Sequence, residues 1–327
     1  MQSPLSPETL EQYSALSYGA GFVDVSDRTQ VRLTGADRVK FLHGFCTNDI
    51  KRLSAGSGCE AFLTNVKGRV VGHVFVFCGD QDLVLETSPG QAEAIIRHLD
   101  RYVIREDVQF DDLQTRVAEL FVAGPRSDAA LAALIGAAVP AEMLAHQTGH
   151  VSGVPISVRR VPLAALPAFL LSYPTDAQAE LQRRLGEAGA RPCGAEVLDI
   201  IRVEAGFPWY GRDIHEDCLP QEVNRDAQAI SFTKGCYLGQ ETVARIDALG
   251  HVNRKLAGVR WHGSDMLQTG QELTVAGQAI GRVTSAVWSP RARAVLALAY
   301  LRRGFDLPGA RLETESGVAE VVDWANL

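Results

Sequence analysis

A chain of 327 residues with 46% hydrophobic and 22% charged residues has the composition of an ordinary globular protein and is long enough to bury two or three cores. Its formal net charge of −7 excludes a general nucleic-acid coat, which needs a basic footprint, though not a local basic patch. The polar start from Met1 to Glu8, and the lack of any run of about eighteen apolar residues, predict a soluble cytoplasmic protein with no membrane partner.

In chain order, a polar helix is expected near Pro7 to Leu16. Gln30 to Thr34 alternates apolar and polar residues as a half-buried strand, and Gly35-Ala36-Asp37 leads into a helix from Arg38 to Phe45. Cys59 to Val66, Arg69 to Cys78 and Asp82 to Glu86 read as a meander rich in Val, Phe and Leu, with a turn at Lys67-Gly68. Pro89 to Tyr102 places Ala92, Ile95, Ile96, Leu99 and Tyr102 on one helix face, and Val108 to Phe110 and Val117 to Val122 return as strands. A second unit follows, with helices Ser127 to Leu134 and Asp176 to Gly186 and strands Pro155 to Val161 and Phe169 to Ser172.

The helix Ala195 to Gly206 puts Val197, Ile200, Ile201 and Glu204 on one stripe, so Glu204 lies on the apolar side and needs a ligand or a strong donor. Arg202, two positions earlier, falls on a different face. Beyond Arg245, the short segments Lys255 to Trp261, Glu272 to Val275, Ala279 to Val287, Ala294 to Tyr300, Arg311 to Thr314 and Val318 to Val322 have the spacing of a small closed barrel. The expected fold is α+β: ferredoxin-like layers of helices on antiparallel sheets, then a C-terminal antiparallel β-barrel. Residues 1–24 with 115–248 are expected to form one α+β domain, 25–114 a second, and 249–327 the barrel.

Six cysteines are scattered with no Cys-x-x-Cys pair, so no zinc or cluster site is expected and no metal is assigned. No phosphate-binding or dinucleotide-binding glycine loop is present. Chemistry concentrates in Phe232 to Arg245, where a cation, a thiol, a phenol, an amide, a carboxylate and two glycines are packed without the periodicity of a core element.

Within it, Lys234-Gly235-Cys236-Tyr237-Leu238-Gly239-Gln240-Glu241 resembles the signature of the YgfZ family of folate-binding proteins, relatives of the glycine-cleavage T-protein (aminomethyltransferase). Arg202 to Gly211 is similar to the superfamily's Arg-x-Glu-x-Gly-x-Pro-x-Tyr-Gly phrase, and Leu219 to Asn224 and Asp100 to Val108 match further phrases. The resemblance implies tetrahydrofolate or a one-carbon derivative as cofactor, held by Glu204 through the pterin edge. Arg202, Tyr237, Gln240 and Glu241 are then further cofactor-binding positions, with Tyr102 and Arg105 secondary, and Lys234 and Cys236 the catalytic ones. It also implies iron–sulfur client proteins or assembly factors as partners, including enzymes that modify tRNA.

Lys234 and the start of the following helix both favour a thiolate at Cys236, so fast alkylation of this cysteine is expected. The T-protein pattern carries a pair of aspartates where this chain has Gly72 and His73, which removes the permanent negative charge and puts glycine cleavage in doubt. The alternatives are a one-carbon transferase or demethylase with another acid in that place, and a protein that binds tRNA directly through Arg245, Arg254, Lys255 and Arg260.

Overall fold

A computed structural model describes residues 4–263 and 265–322. The outer ends of the first and last expected domains, residues 1–3 and 323–327, lie outside the described residues, as does Ser264.

Helix α1 (Pro7–Tyr18) starts where the Ser6 hydroxyl accepts the Thr9 N–H at 3.0 Å, with Pro7 at its first position. Strands β1 (Gly21–Asp24) and β2 (Thr29–Thr34), helix α2 (Arg38–His43) and strands β3 (Gly58–Thr64), β4 (Val70–Cys78) and β5 (Leu83–Thr87) follow. Then come α3 (Ala92–Asp100), β6 (Gln109–Asp112), β7 (Val117–Ala123), α4 (Ser127–Ile135), β8 (His146–Val151), β9 (Val154–Arg160) and β10 (Ala168–Pro174). Helix α5 (Gln178–Glu187), the short β11 (Arg191–Pro192), α6 (Ala195–Glu204), α7 (Asp226–Ala229) and α8 (Gln240–Leu249) lead to the last strands. These are β12 (Arg254–His262), β13 (Glu272–Val275), β14 (Gln278–Ser289), β15 (Ala294–Arg302), β16 (Arg311–Thr314) and β17 (Gly317–Val321).

Three sheets result, in the strand orders β11-β1-β7-β10-β9-β8, β3-β4-β5-β2-β6 and β13-β14-β15-β12-β17-β16. The last closes almost into a barrel, since the Glu315 N–H after β16 reaches the Thr274 carbonyl of β13 at 3.2 Å. The chain is therefore an α+β protein with a C-terminal antiparallel barrel. Strand β8 had no counterpart in the sequence reading: His146-Gln147-Thr148-Gly149-His150 is polar because β8 is an edge with little burial, so no apolar alternation marks it. Helix α3 starts later than expected because Gly90 holds φ +74°, outside helical backbone.

Helix α6 is the hub. Val197, Ile200, Ile201 and Val203 share one core cluster with Phe62, Phe75 and Phe77 of the second sheet, Phe121 and Leu170 of the first, and Leu256, Leu296 and Leu298 of the barrel. A buried polar tie joins the first two sheets: Arg28 Nε donates to Glu86 at 2.9 Å, while Arg159 reaches Gln30 at 3.0 Å, Glu86 at 3.3 Å and Glu119 at 3.4 Å.

Candidate functional site

Glu204 ends α6 only 5% exposed, as its place on the apolar stripe implied. The Tyr13 hydroxyl of α1 lies 3.0 Å from each of its oxygens, and Ser289 at the end of β14 donates to Oε1 at 2.5 Å. Burial raises the Glu204 carboxyl above its ordinary value, and the bonds from Ser289 and Tyr13 work against that rise. The same burial, with the charge of Glu204, pushes the Tyr13 phenol up. A carboxylate offers about four lone-pair sites, so Glu204 keeps acceptor capacity toward a ligand. It lines a cavity of about 530 Å³ together with Tyr13, Ser17, Leu166, Arg291 and Arg293. Tyr13 and Ser289 were missed in the sequence. Tyr13 carried a signal, since Thr9, Tyr13 and Leu16 form the buried stripe of α1, whereas Ser289 carried none.

The Lys234 loop lies elsewhere. Lys234 is 7% exposed, and its ammonium donates to the carbonyls of His43 at 2.5 Å and Cys46 at 2.6 Å, just past the end of α2. Carbonyls at a helix end lack intrahelical partners, and a lysine is a natural donor to them. The ammonium also stands 4.8 Å from the centre of the buried Tyr237 ring. Burial lowers the Lys234 pKa, and the thiols with the largest opposing influence are Cys46 and Cys59. Cys236 is exposed. The expected pairing of Lys234 with the Cys236 thiol is therefore corrected: the ammonium turns inward to main-chain oxygens, where desolvation is offset by two hydrogen bonds. Gly239 holds φ +80°, and a Cβ there would fall 2.4 Å from the Asn65 carbonyl oxygen, so only glycine fits where the loop crosses the β3–β4 turn. Gln240 begins α8 half-buried, and Glu241 is exposed in its first turn.

Around the Gly72–His73 position the structure assembles a group that no sequence spacing announced. The His73 ring lies between Phe62, at 5.0 Å and 27°, and Phe207, at 5.5 Å and 23°. Its Nε2 is 2.7 Å from Glu60 Oε1, and Arg225 holds Glu60 through both oxygens, with Nη2 to Oε2 at 2.6 Å. Burial alone would raise the Glu60 carboxyl, but Arg225 and His73 outweigh it and hold it at about 2. Glu60 is thus a permanent carboxylate already neutralised by its neighbours.

The remaining expected positions are dispersed. Arg202 is fully buried and donates to Asp199 at 2.6 Å, Asp213 at 2.9 Å, Ser285 at 2.8 Å and the Phe207 carbonyl at 3.3 Å, which ties α6 to β14. Tyr102 packs half-buried against Phe45, with ring centres 4.8 Å apart, and Arg105 is exposed. Among the described residues, Glu204 and the Lys234 loop share neither a hydrogen-bond partner nor a cavity. The basic cluster is also divided: Arg254 is paired with Glu222 at 3.2 Å and Asp217 at 3.1 Å, and alternation along β12 puts Lys255 on the face opposite Arg254 and Arg260.

The GCVT N-terminal domain model matches residues 2–234, and the glycine cleavage T-protein C-terminal barrel domain model matches residues 254–323. Aminomethyltransferases of Rippkaea orientalis and of Nostoc sp. are each 26% identical, covering 93% of this chain and 84% and 82% of their own lengths. The crystal structure of glycine cleavage system aminomethyltransferase T from Bartonella henselae superposes with a TM-score of 0.87 at 21% identity, over 98% of this chain and 90% of that one, and so shares its fold. With both domain models matched in order along a common fold, the chain belongs to the glycine-cleavage T-protein family.

Proposed function

We propose that this protein binds tetrahydrofolate or a one-carbon derivative and serves as a YgfZ-like accessory factor for the synthesis or repair of iron–sulfur enzymes, including tRNA-modifying ones. The observation that carries the choice of an accessory role over group transfer is the Glu60–His73–Arg225 group. Where the transferase pattern places a pair of aspartates, His73 is stacked and bonded, and the nearby Glu60 charge is spent on Arg225. Little charge is left to stabilise a cationic one-carbon intermediate.

The residues around Glu204 fit the ring end of a reduced folate. The carboxylate can accept from adjacent ring N–H groups in bidentate fashion, and Arg291 and Arg293 in the same wall complement anionic carboxylates on the ligand. Tetrahydrofolate should bind saturably, and Glu204→Ala should weaken it by on the order of 2 kcal/mol or more, read by calorimetric titration. Unchanged affinity in a folded variant removes Glu204 from the site.

A second reading, a one-carbon transferase or demethylase, is favoured by the relatives named aminomethyltransferases and by the ionised Glu60 beside His73. Robust turnover of glycine-cleavage or demethylation substrates with tetrahydrofolate by the purified protein would reject the accessory role. Within that role, Cys236 is the exposed thiol of the signature loop. Cys236→Ala should change stability by less than about 0.5 kcal/mol and keep folate binding, yet fail to restore iron–sulfur enzyme activity in cells lacking the protein. Full complementation at native expression, with slow alkylation of Cys236 in the parent protein, moves the working weight to Lys234 and Glu204.

A further inference from the structure

Between the first two sheets lies a cleft of about 410 Å³ that the folate reading leaves unused. One side is the β8, β9 and β10 end of the first sheet, and the other is Gln30 of β2 with Leu113 just beyond β6. The walls are apolar: Leu113, Val117, Pro155, Ile156 and Pro174 line them, with Ser157 beside Arg159 on the floor and His150 at the exposed rim. The permanent charge in this lining is that of Arg159, and among the described residues no aspartate or glutamate joins it.

Arg159 and Gln30 are 5% and 2% exposed. Arg159 Nη1 donates to Gln30 Oε1 at 3.0 Å and to Glu86 and Glu119 at 3.3 and 3.4 Å, and its Nε is closed off from solvent. Nη2 is not closed off, and among the described residues it has no hydrogen bond. Because Gln30 gives its Oε1 to Arg159, its amide orientation is fixed, and its Nε2 is likewise unbonded without being closed off. Both side chains line this cleft, so two unused donors meet whatever enters it. Glu86 and Glu119 are shared with Arg28 at 2.9 and 4.0 Å, so two guanidiniums face two carboxylates beneath the floor. Burial, and next the charge of Glu119, raise the Glu86 carboxyl well above its ordinary value, which leaves the arginines less than fully neutralised.

We propose that this cleft binds a small monocarboxylate with an apolar body. Arg159 Nη2 and Gln30 Nε2 receive the carboxylate, and Leu113, Val117, Pro155 and Pro174 cover the body. The neutral amide of the same ligand loses the charge-assisted hydrogen bond, and acetate lacks the surface that the walls would cover. This site stands independently of the folate reading.

The test follows 4-fluorophenylacetate by fluorine NMR as the full chain is titrated. The probe should bind saturably with one-to-one stoichiometry, and hexanoate should displace it. Both 4-fluorophenylacetamide and acetate should bind at least tenfold more weakly. Arg159→Met should weaken the probe at least tenfold. Thr148 also lines the cleft and is exposed on the edge strand β8, opposite Ser157, so Thr148→Asp adds a negative charge there while leaving the buried floor intact. This variant should also weaken the probe at least tenfold, and it decides the matter if Arg159→Met fails to fold. No saturable binding of the probe, equal binding of the amide, or full affinity in Thr148→Asp overturns the proposal.

Discussion

Replacing Arg202 with methionine should lower the unfolding free energy by about 3–5 kcal/mol, the range for breaking a buried ion pair from one side. The guanidinium is 0% exposed, and so is its partner Asp213, whose other oxygen accepts from Thr284 and Ser285 at 2.6 Å each. Without the arginine, Asp213 keeps its hydroxyl donors and the Trp209 N–H at 3.0 Å, but no cation balances its charge in the interior. Asp199 still has Arg212 at 2.9 Å, so the loss centres on Asp213. Arg202→Lys should recover little, because one ammonium cannot span Asp199, Asp213, Ser285 and the Phe207 carbonyl. Denaturant unfolding followed by circular dichroism measures both variants, and a loss under about 1 kcal/mol in Arg202→Met contradicts the structural role.

The second large effect is pH-dependent and belongs to Glu60. Its carboxyl lies at about 2 in the folded chain against 4.5 without the fold's influence. A depressed folded pKa contributes stability that is fully present above the unfolded value and is lost as pH falls from about 4.5 through about 2. At roughly 1.4 kcal/mol per unit, the contribution is about 3 kcal/mol near neutrality and falls below half of that by pH 3. Glu60→Gln should therefore lie well below the parent protein at pH 7 and approach it in acid. Urea unfolding of both proteins from pH 7 to pH 3 gives the comparison, and a gap that stays constant across this range rules out Glu60 as the source. Arg225→Met probes the same pair from the other side, and should raise the Glu60 pKa because burial then acts with only His73 opposing it.

Both effects bear on how much of the site was legible in the chain. The helical stripe of Val197, Ile200, Ile201 and Glu204 correctly put a carboxylate on a buried face, because burial of α6 follows its own three- and four-residue spacing. The same spacing set Arg202 apart from Glu204 without showing that Asp213 and Ser285 would occupy its donors. The Lys234 loop was legible as a special segment because its glycines and mixed polar groups suit no core element. The direction of the Lys234 ammonium was not legible, since its acceptors are main-chain oxygens of His43 and Cys46, 191 and 188 residues away in the chain.

What the sequence by itself determined was the α+β order, the barrel strands and the identity of the groups that must be buried, because strand alternation, helical stripes and turn residues are local properties. Only the tertiary structure decided which groups meet. Tyr13 reaches Glu204 across 191 residues, Ser289 across 85, and Arg225 reaches Glu60 across 165. These pairings arise where three sheets pack around α6, and a buried charge accepts whichever donor that packing delivers.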